Sequence, residues 1–233
     1  MKAELLYVTD PYCVWCYGFG KVVGRAARDY ADKIDVRIIN GGMIPSDTSL
    51  ATMFGRFPDP MALHERTAST SGQPFGQPYL DEIRRFRESK LTLNSNTPAR
   101  ALVAFRLLGV EDEFAVTAAI QQAYYGEARD LQDVATYEHI AAQFGVDFAA
   151  FKSKFEASET AKSVADDRRI VEQMRVQGFP AVIFRGSEDR LVQIASGFLP
   201  YANFKTNLDT ALSQYWSAPE AQEQSCSLDA AGC

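Results

Sequence analysis

Cys13 and Cys16, three residues apart, are the side chains of this chain best suited to covalent chemistry. They follow Leu5-Leu6-Tyr7-Val8, a short apolar run of strand character, and the turn signal Asp10-Pro11. Downstream, Phe19, Val22, Val23, Ala26, Ala27 and Tyr30 recur at helical spacing, which predicts an amphipathic helix over Cys16–Ala31. The pair is therefore expected at a strand-to-helix junction. Spacing of three on one helical face brings the Cβ atoms within roughly 5–6 Å, and a modest adjustment reaches disulfide distance. Free N–H groups and the dipole at the helix start favour a thiolate, the nucleophilic form, on the leading cysteine. A Cys-x-x-Cys in a β-α-β setting is thus a redox signature, with Cys13 attacking and Cys16 resolving.

Three other readings compete. Cys13, Cys16, Cys226 and Cys233 form a conceivable zinc set. Structural zinc sites usually pair two short spacings, whereas six residues separate Cys226 from Cys233. Two inert buried thiols, or a permanent disulfide, are the remaining alternatives. Met1–Glu4 runs directly into the first strand and leaves no room before Cys13 for a secretory signal. The expectation is a cytoplasmic protein, where a permanent disulfide is disfavoured.

The elements that must position the cysteines are legible in outline. Ile34, Val36 and Ile38 alternate with polar residues, and Asn40-Gly41-Gly42 ends that strand, which completes a β-α-β unit. From Ser49 to Gln177 no long strand is visible. Helices are expected over Ala99–Leu108 behind a Thr97 cap with Pro98 first, then Asp112–Tyr125, Asp133–Phe144, Asp147–Phe155 and Ser158–Met174. Phe57–Gln77, with three prolines, reads as partly irregular. Strands return at Ala181–Phe184 and Leu191–Ile194, joined by a Gly-containing hairpin loop, and Pro200–Tyr215 reads as a closing helix.

Val176-Gln177-Gly178-Phe179-Pro180 stands immediately before the third strand. Proline cannot sit in mid-strand, so Pro180 begins the strand or occupies a turn; a cis Phe179–Pro180 bond beside the cysteines is the functional alternative.

Thr9-Asp10-Pro11-Tyr12-Cys13-Val14-Trp15-Cys16-Tyr17-Gly18-Phe19 resembles the active-site segment of the DsbA-like thioredoxin superfamily, most of all its FrnE-like branch of predicted protein disulfide isomerases. Gly178-Phe179-Pro180 is similar to that family's cis-proline loop, and the helical block to its characteristic insertion. The resemblance covers about residues 3 to 216. It implies an α/β thioredoxin-like fold over 1–45 and 176–216, an all-helical insertion over 46–175, and a C-terminal tail over 217–233. It also implies thiol–disulfide exchange at Cys13 and Cys16, with Trp15, Phe179 and Pro180 contacting substrate. Some relatives carry a second C-terminal cysteine pair, which makes Cys226 and Cys233 a candidate secondary redox pair beside the reading of two idle thiols. The residues between the cysteines are Val14 and Trp15 rather than the Pro-His of strongly oxidising members, which implies a weaker oxidant.

The implied partners are protein or peptide disulfides and thiols, glutathione among the candidates, with no cofactor and no metal. A formal charge of −6 and a pI near 5.1 argue against nucleic-acid binding, and no apolar run approaches a bilayer span. A glutathione-dependent kappa-like transferase or isomerase is the alternative enzyme, although those relatives usually have Ser where Cys13 stands. Asp10 reads as a turn cap or a proton-transfer group. Met43, Met53, Phe54, Phe57, Met61 and Phe75 read mostly as core, or else as an apolar groove. His64 and His139 read as structural or exposed. Asn40–Met43 reads as a tight turn that its place beyond a strand end brings near the site.

Overall fold

The computed structural model describes residues 2–215, so Cys226, Cys233 and the tail over 217–233 lie outside the described residues. Strand β1 (Ala3–Thr9) is followed by helix α1 (Val14–Asp29) and strand β2 (Ile34–Asn40). Strands β5 (Ala181–Arg185) and β6 (Leu191–Ser196) and helix α10 (Tyr201–Tyr215) close the described chain. The four strands form one sheet in the order β2-β1-β5-β6. β1 runs parallel to β2 and antiparallel to β5, which pairs antiparallel with β6.

Central β1 explains its own sequence. Leu5 and Tyr7 point into a core shared with Val23 and Ala26 of α1 and Phe204 and Leu208 of α10. Leu6 and Val8 point the other way, onto Ile39, Ile183 and Val171. A strand covered on both faces needs apolar residues at every position, hence the unbroken run. Each such side chain contributes about 1.5–3 kcal/mol when taken from water.

Between β2 and β5 lie helices α2 (Leu50–Phe54), α3 (Pro60–Ser71), α4 (Gln77–Arg84), α5 (Asn96–Leu107) and α6 (Glu113–Tyr125). Helices α7 (Glu138–Gln143), α8 (Phe148–Glu156) and α9 (Ser158–Gln173) follow. A two-residue antiparallel ladder, β3 (Thr48–Ser49) with β4 (Thr92–Leu93), interrupts the helices. α9 supplies Val171 and thereby covers the sheet face opposite α1 and α10.

Several boundaries differ from expectation. α1 starts two residues before Cys16, because the Cys13 sulfur itself caps the helix. α5 starts at Asn96 behind Ser95, and Pro98 is its third residue; the first-turn N–H groups need no intrahelical acceptor, so proline is tolerated there. The stretch expected to be irregular contains α3, which Asp59 caps through Ala62 N and Pro60 opens, while Gly72 at φ +67° stops it. The expected helix from Asp133 begins as a 3-10 turn over Val134–Tyr137.

Candidate active site

Cys13 and Cys16 straddle the first turn of α1. The Cys16 N–H donates to Cys13 Sγ at 3.2 Å, and the chain reaches Cys13 through a turn in which Cys13 N donates to Asp10 O. Both are free thiols. Cys13 is 5% exposed and Cys16 is fully enclosed, so Cys13 is the sulfur of the pair nearer to solvent. Burial pushes the Cys16 thiol well up, and the neighbouring Cys13 adds to that; the Thr9 hydroxyl and the Asp10 backbone pull the other way. Thr9 Oγ1 is buried and makes no hydrogen bond of good geometry among the described residues, although it lies beside this sulfur. Tyr7, one pleat earlier on the same face, donates its hydroxyl to Cys16 O at 3.1 Å.

The aromatic residues flanking the cysteines anchor the turn in the helices. Tyr12 packs edge-on against Tyr124, and its hydroxyl accepts from Gln132 Nε2 at 2.7 Å. Tyr17 stacks on Tyr125 with centroids 4.6 Å apart and donates to Pro74 O. Trp15, partly exposed, rests against Phe198, and the Arg66 guanidinium lies 5.8 Å from its ring centre.

Strand register brings distant segments to the same edge. Thr9 pairs with Asn40 on one side, and Val8 pairs with Ala181 on the other, which sets Pro180 beside Thr9. The Phe179–Pro180 bond is cis; Pro180 is buried and its carbonyl accepts from Gly197 N at 2.8 Å. Phe179 leans across the edge to Gly41, where a Cβ would stand only 2.3 Å from its ring, so the ring holds this position only over a glycine. Trp15, Phe179 and Pro180 thus belong to the rim of the cysteine turn.

Asp10 is the hub of that rim. Its carboxylate accepts from Tyr12 N at 3.0 Å and Met43 N at 2.8 Å, which ties the cysteine turn to the Gly41–Met43 loop. Burial raises its pKa, while the Ser95 hydroxyl and these backbone N–H groups oppose the shift. The turn-capping reading of Asp10 therefore describes its contacts. On the same side, Asp167 of α9 accepts from Asn40 N and, at 2.7 Å, from Asn40 Nδ2. The next residue, Arg168, lies against Gly42, which has φ +69°. Arg168 and Asn96 escape sequence reading because nothing in their local context marks them, whereas Tyr7 and Thr9 stand in the strand and motif already singled out, without a contact assigned to them. The glycine pair after β2 is the one signal that points there.

The remaining candidates take structural places. Phe54 is buried, and Met43, Met53, Phe57, Met61 and Phe75 pack half-buried against the core. His64 is enclosed, with Nδ1 donating to Pro60 O at 2.7 Å, so that Nε2 accepts from the Tyr79 hydroxyl. His139 is exposed. No group of three or more His, Cys, Asp or Glu side chains gathers into a metal site among the described residues. A groove of about 780 Å³ beside α1 is lined by Lys21, Arg28, Phe114 and Gln121, and neither cysteine lines it. No helix among the described residues is long and apolar enough to cross a membrane.

Comparison with known proteins extends this picture. A candidate protein disulfide isomerase from Nitrosomonas europaea is similar in structure, with a TM-score of 0.77 and 25% identity, over 92% of this chain and 99% of its own. The cytosolic disulfide reductase DsbM from Pseudomonas aeruginosa has a TM-score of 0.71 and 27% identity, over 90% of this chain and 98% of its own. Its structure with GSH gives 0.70 and 28%, over 90% and 99%. No curated protein matches the chain. The DSBA-like thioredoxin domain model matches residues 4–209, nearly all of the described chain. The chain belongs to this DsbA-like family of thiol–disulfide oxidoreductases.

Proposed function

We propose that the protein reduces or rearranges peptide and glutathionyl disulfides through Cys13 and Cys16. The observation that carries this reading is the Cys13 sulfur capping α1, where it accepts the Cys16 N–H at 3.2 Å. A thiolate accepts that bond better than a thiol does. Cys13 attacks one sulfur of the substrate disulfide. A Cys13–substrate bond forms, the substrate S–S bond breaks, and the departing sulfur leaves with the electron pair and takes a proton. Cys16 then gives up its proton and attacks Cys13 Sγ. This closes the Cys13–Cys16 disulfide and releases the second substrate thiol. One substrate disulfide gains two electrons and the cysteine pair loses them; two molecules of a thiol such as glutathione return the pair to its reduced form and leave as their own disulfide.

Phe179 and Pro180 would hold an extended peptide by its backbone beside Cys13, in the manner of strand addition, and Trp15 would meet its side chains. DsbM, a cytosolic reductase whose structure has been determined with GSH, supports glutathione as the thiol partner and a reducing compartment as the setting. Val14 and Trp15 between the cysteines fit a reductase or isomerase better than a strong oxidant. The test is a trapping experiment. With Cys16→Ser the first step should proceed and stop, which leaves a mixed disulfide on Cys13 visible by intact-mass spectrometry. Absence of that adduct, or an adduct formed by Cys13→Ser instead, would overturn the assignment.

A further inference from the structure

Arg168 presents a donor that nothing among the described residues satisfies. Its Nε is buried and has no hydrogen-bond partner, and its terminal nitrogen meets Asn96 Oδ1 only at 3.4 Å. No carboxylate lies within ion-pair distance of it among the described residues; its neighbours on α9 are engaged elsewhere, Asp167 with Arg106 and Asp166 with Arg169. Asp10 feels its charge, but both Asp10 oxygens are already taken by backbone N–H groups. A half-buried guanidinium without a counter-ion is unfavourable, and its planar fork matches a carboxylate better than any other common group.

Position gives this orphan fork a meaning. Gly42 sits against it: a Cβ there would stand 2.9 Å from Arg168 Nε, so the missing side chain lets the turn cover Nε without displacing the guanidinium, and the residue's remaining exposure lies on its other atoms. Gly42 adjoins Gly41, on which Phe179 rests, and Met43, whose N–H holds Asp10 below the cysteine turn. The fork thus lies on the rim that starts at Pro180 and ends at α9.

We propose that Arg168, supported by Asn96 across the Gly41–Gly42 turn, binds a carboxylate of the disulfide substrate. This selects small carboxylate-bearing thiol peptides, glutathionyl disulfides foremost, over neutral disulfides. The proposal rests on the disulfide-exchange reading for its substrate class, but its test does not use turnover.

The probe is S-methylglutathione, a thioether that cannot exchange, compared with its dialkyl ester, which lacks the carboxylates. Binding to the full chain is followed by calorimetry. The wild type should prefer the acid to the ester by about tenfold or more, the value of a charge-assisted pair. Arg168→Gln should lose that preference, and Arg168→Lys, which keeps the charge without the fork, should recover part of it. Equal binding of acid and ester by the wild type, or an undiminished preference in Arg168→Gln, would overturn the proposal. Failure of the wild type to bind S-methylglutathione at millimolar concentration would overturn it too. If Arg168→Gln does not fold, the wild-type comparison and Arg168→Lys still decide. Separately, failure of the wild type to turn over both oxidised glutathione and a neutral disulfide such as bis(2-hydroxyethyl) disulfide would sink the redox reading and leave this one standing on its binding data.

Discussion

Tyr7 to Phe19 carries both sulfurs, the Thr9 hydroxyl and the Asp10 carboxylate on one uninterrupted stretch. The rim facing it is gathered from Gly41–Met43, Asn96, Arg168 and Phe179–Pro180, four segments spread over most of the chain. The stretch is local geometry: a strand ends, a turn follows, and a helix begins on a cysteine. The rim exists only because β1 pairs with β2 on one side and β5 on the other. The difference suggests a division of labour, with reactivity encoded in neighbouring residues and selectivity assembled from distant ones. Substitutions of the sulfurs and the groups beside them should then change rates for every disulfide, and substitutions in the rim, or of Trp15 where the stretch borders it, should change which disulfide is bound.

The largest expected effect is on the stretch. Cys13→Ser should lower turnover of any disulfide by on the order of 10³-fold or more, as removal of a nucleophile does. Retention of substantial turnover would move the reactive group elsewhere and dissolve the comparison.

Gly41→Ala tests the rim. The new Cβ would stand 2.3 Å from the Phe179 ring, so the ring must move. A stability loss of about 1–3 kcal/mol is expected from overpacking. KM for a peptide disulfide should rise more than kcat falls. A fall in kcat alone would show that the rim is part of the reacting machinery rather than its selector.

Thr9→Val is subtler. The hydroxyl has no well-formed hydrogen bond, so its removal should not lower stability, as denaturant unfolding would show. The same hydroxyl favours the Cys16 thiolate against the upward push of burial. Decay of the mixed disulfide in single turnover should slow by about threefold to tenfold, equivalent to about 1 kcal/mol. Unchanged decay would remove Thr9 from the chemistry.

The smallest effect lies away from both regions and serves as their control. Burial lowers the pKa of His64, with the Pro60 carbonyl opposing. The unfolded chain therefore binds the proton more readily, and stability present above about pH 6.5 is lost as pH falls through the folded value. The slope is at most about 1.4 kcal/mol per pH unit. His64→Gln should flatten it between pH 5.5 and 6.5 in urea titrations, with no change in substrate preference.

Residue types and spacing alone determine much here. The run Leu5–Val8, the helical recurrence from Phe19 to Tyr30 and the position of Cys13 and Cys16 between them are local properties, and local properties are written in contiguous residues. Helix starts were legible where an acidic cap precedes an apolar pattern, as at Asp112 and Asp147, each of which accepts from an N–H three residues on. They were obscured where the capping atom was a cysteine sulfur, or where Pro60 looked like a breaker and was in fact the first helical residue. Tertiary structure decided which distant side chains gather at the sheet edge where the cysteine turn lies. Arg168 is 155 positions from Cys13 and carries no local mark. Its place follows from α9 packing along β2, where Asp167 fastens to Asn40, and no short-range pattern encodes that pairing. Phe179 reaches Gly41 for the same reason: two strands that never touch each other both pair with β1, and the sheet carries their ends to one edge.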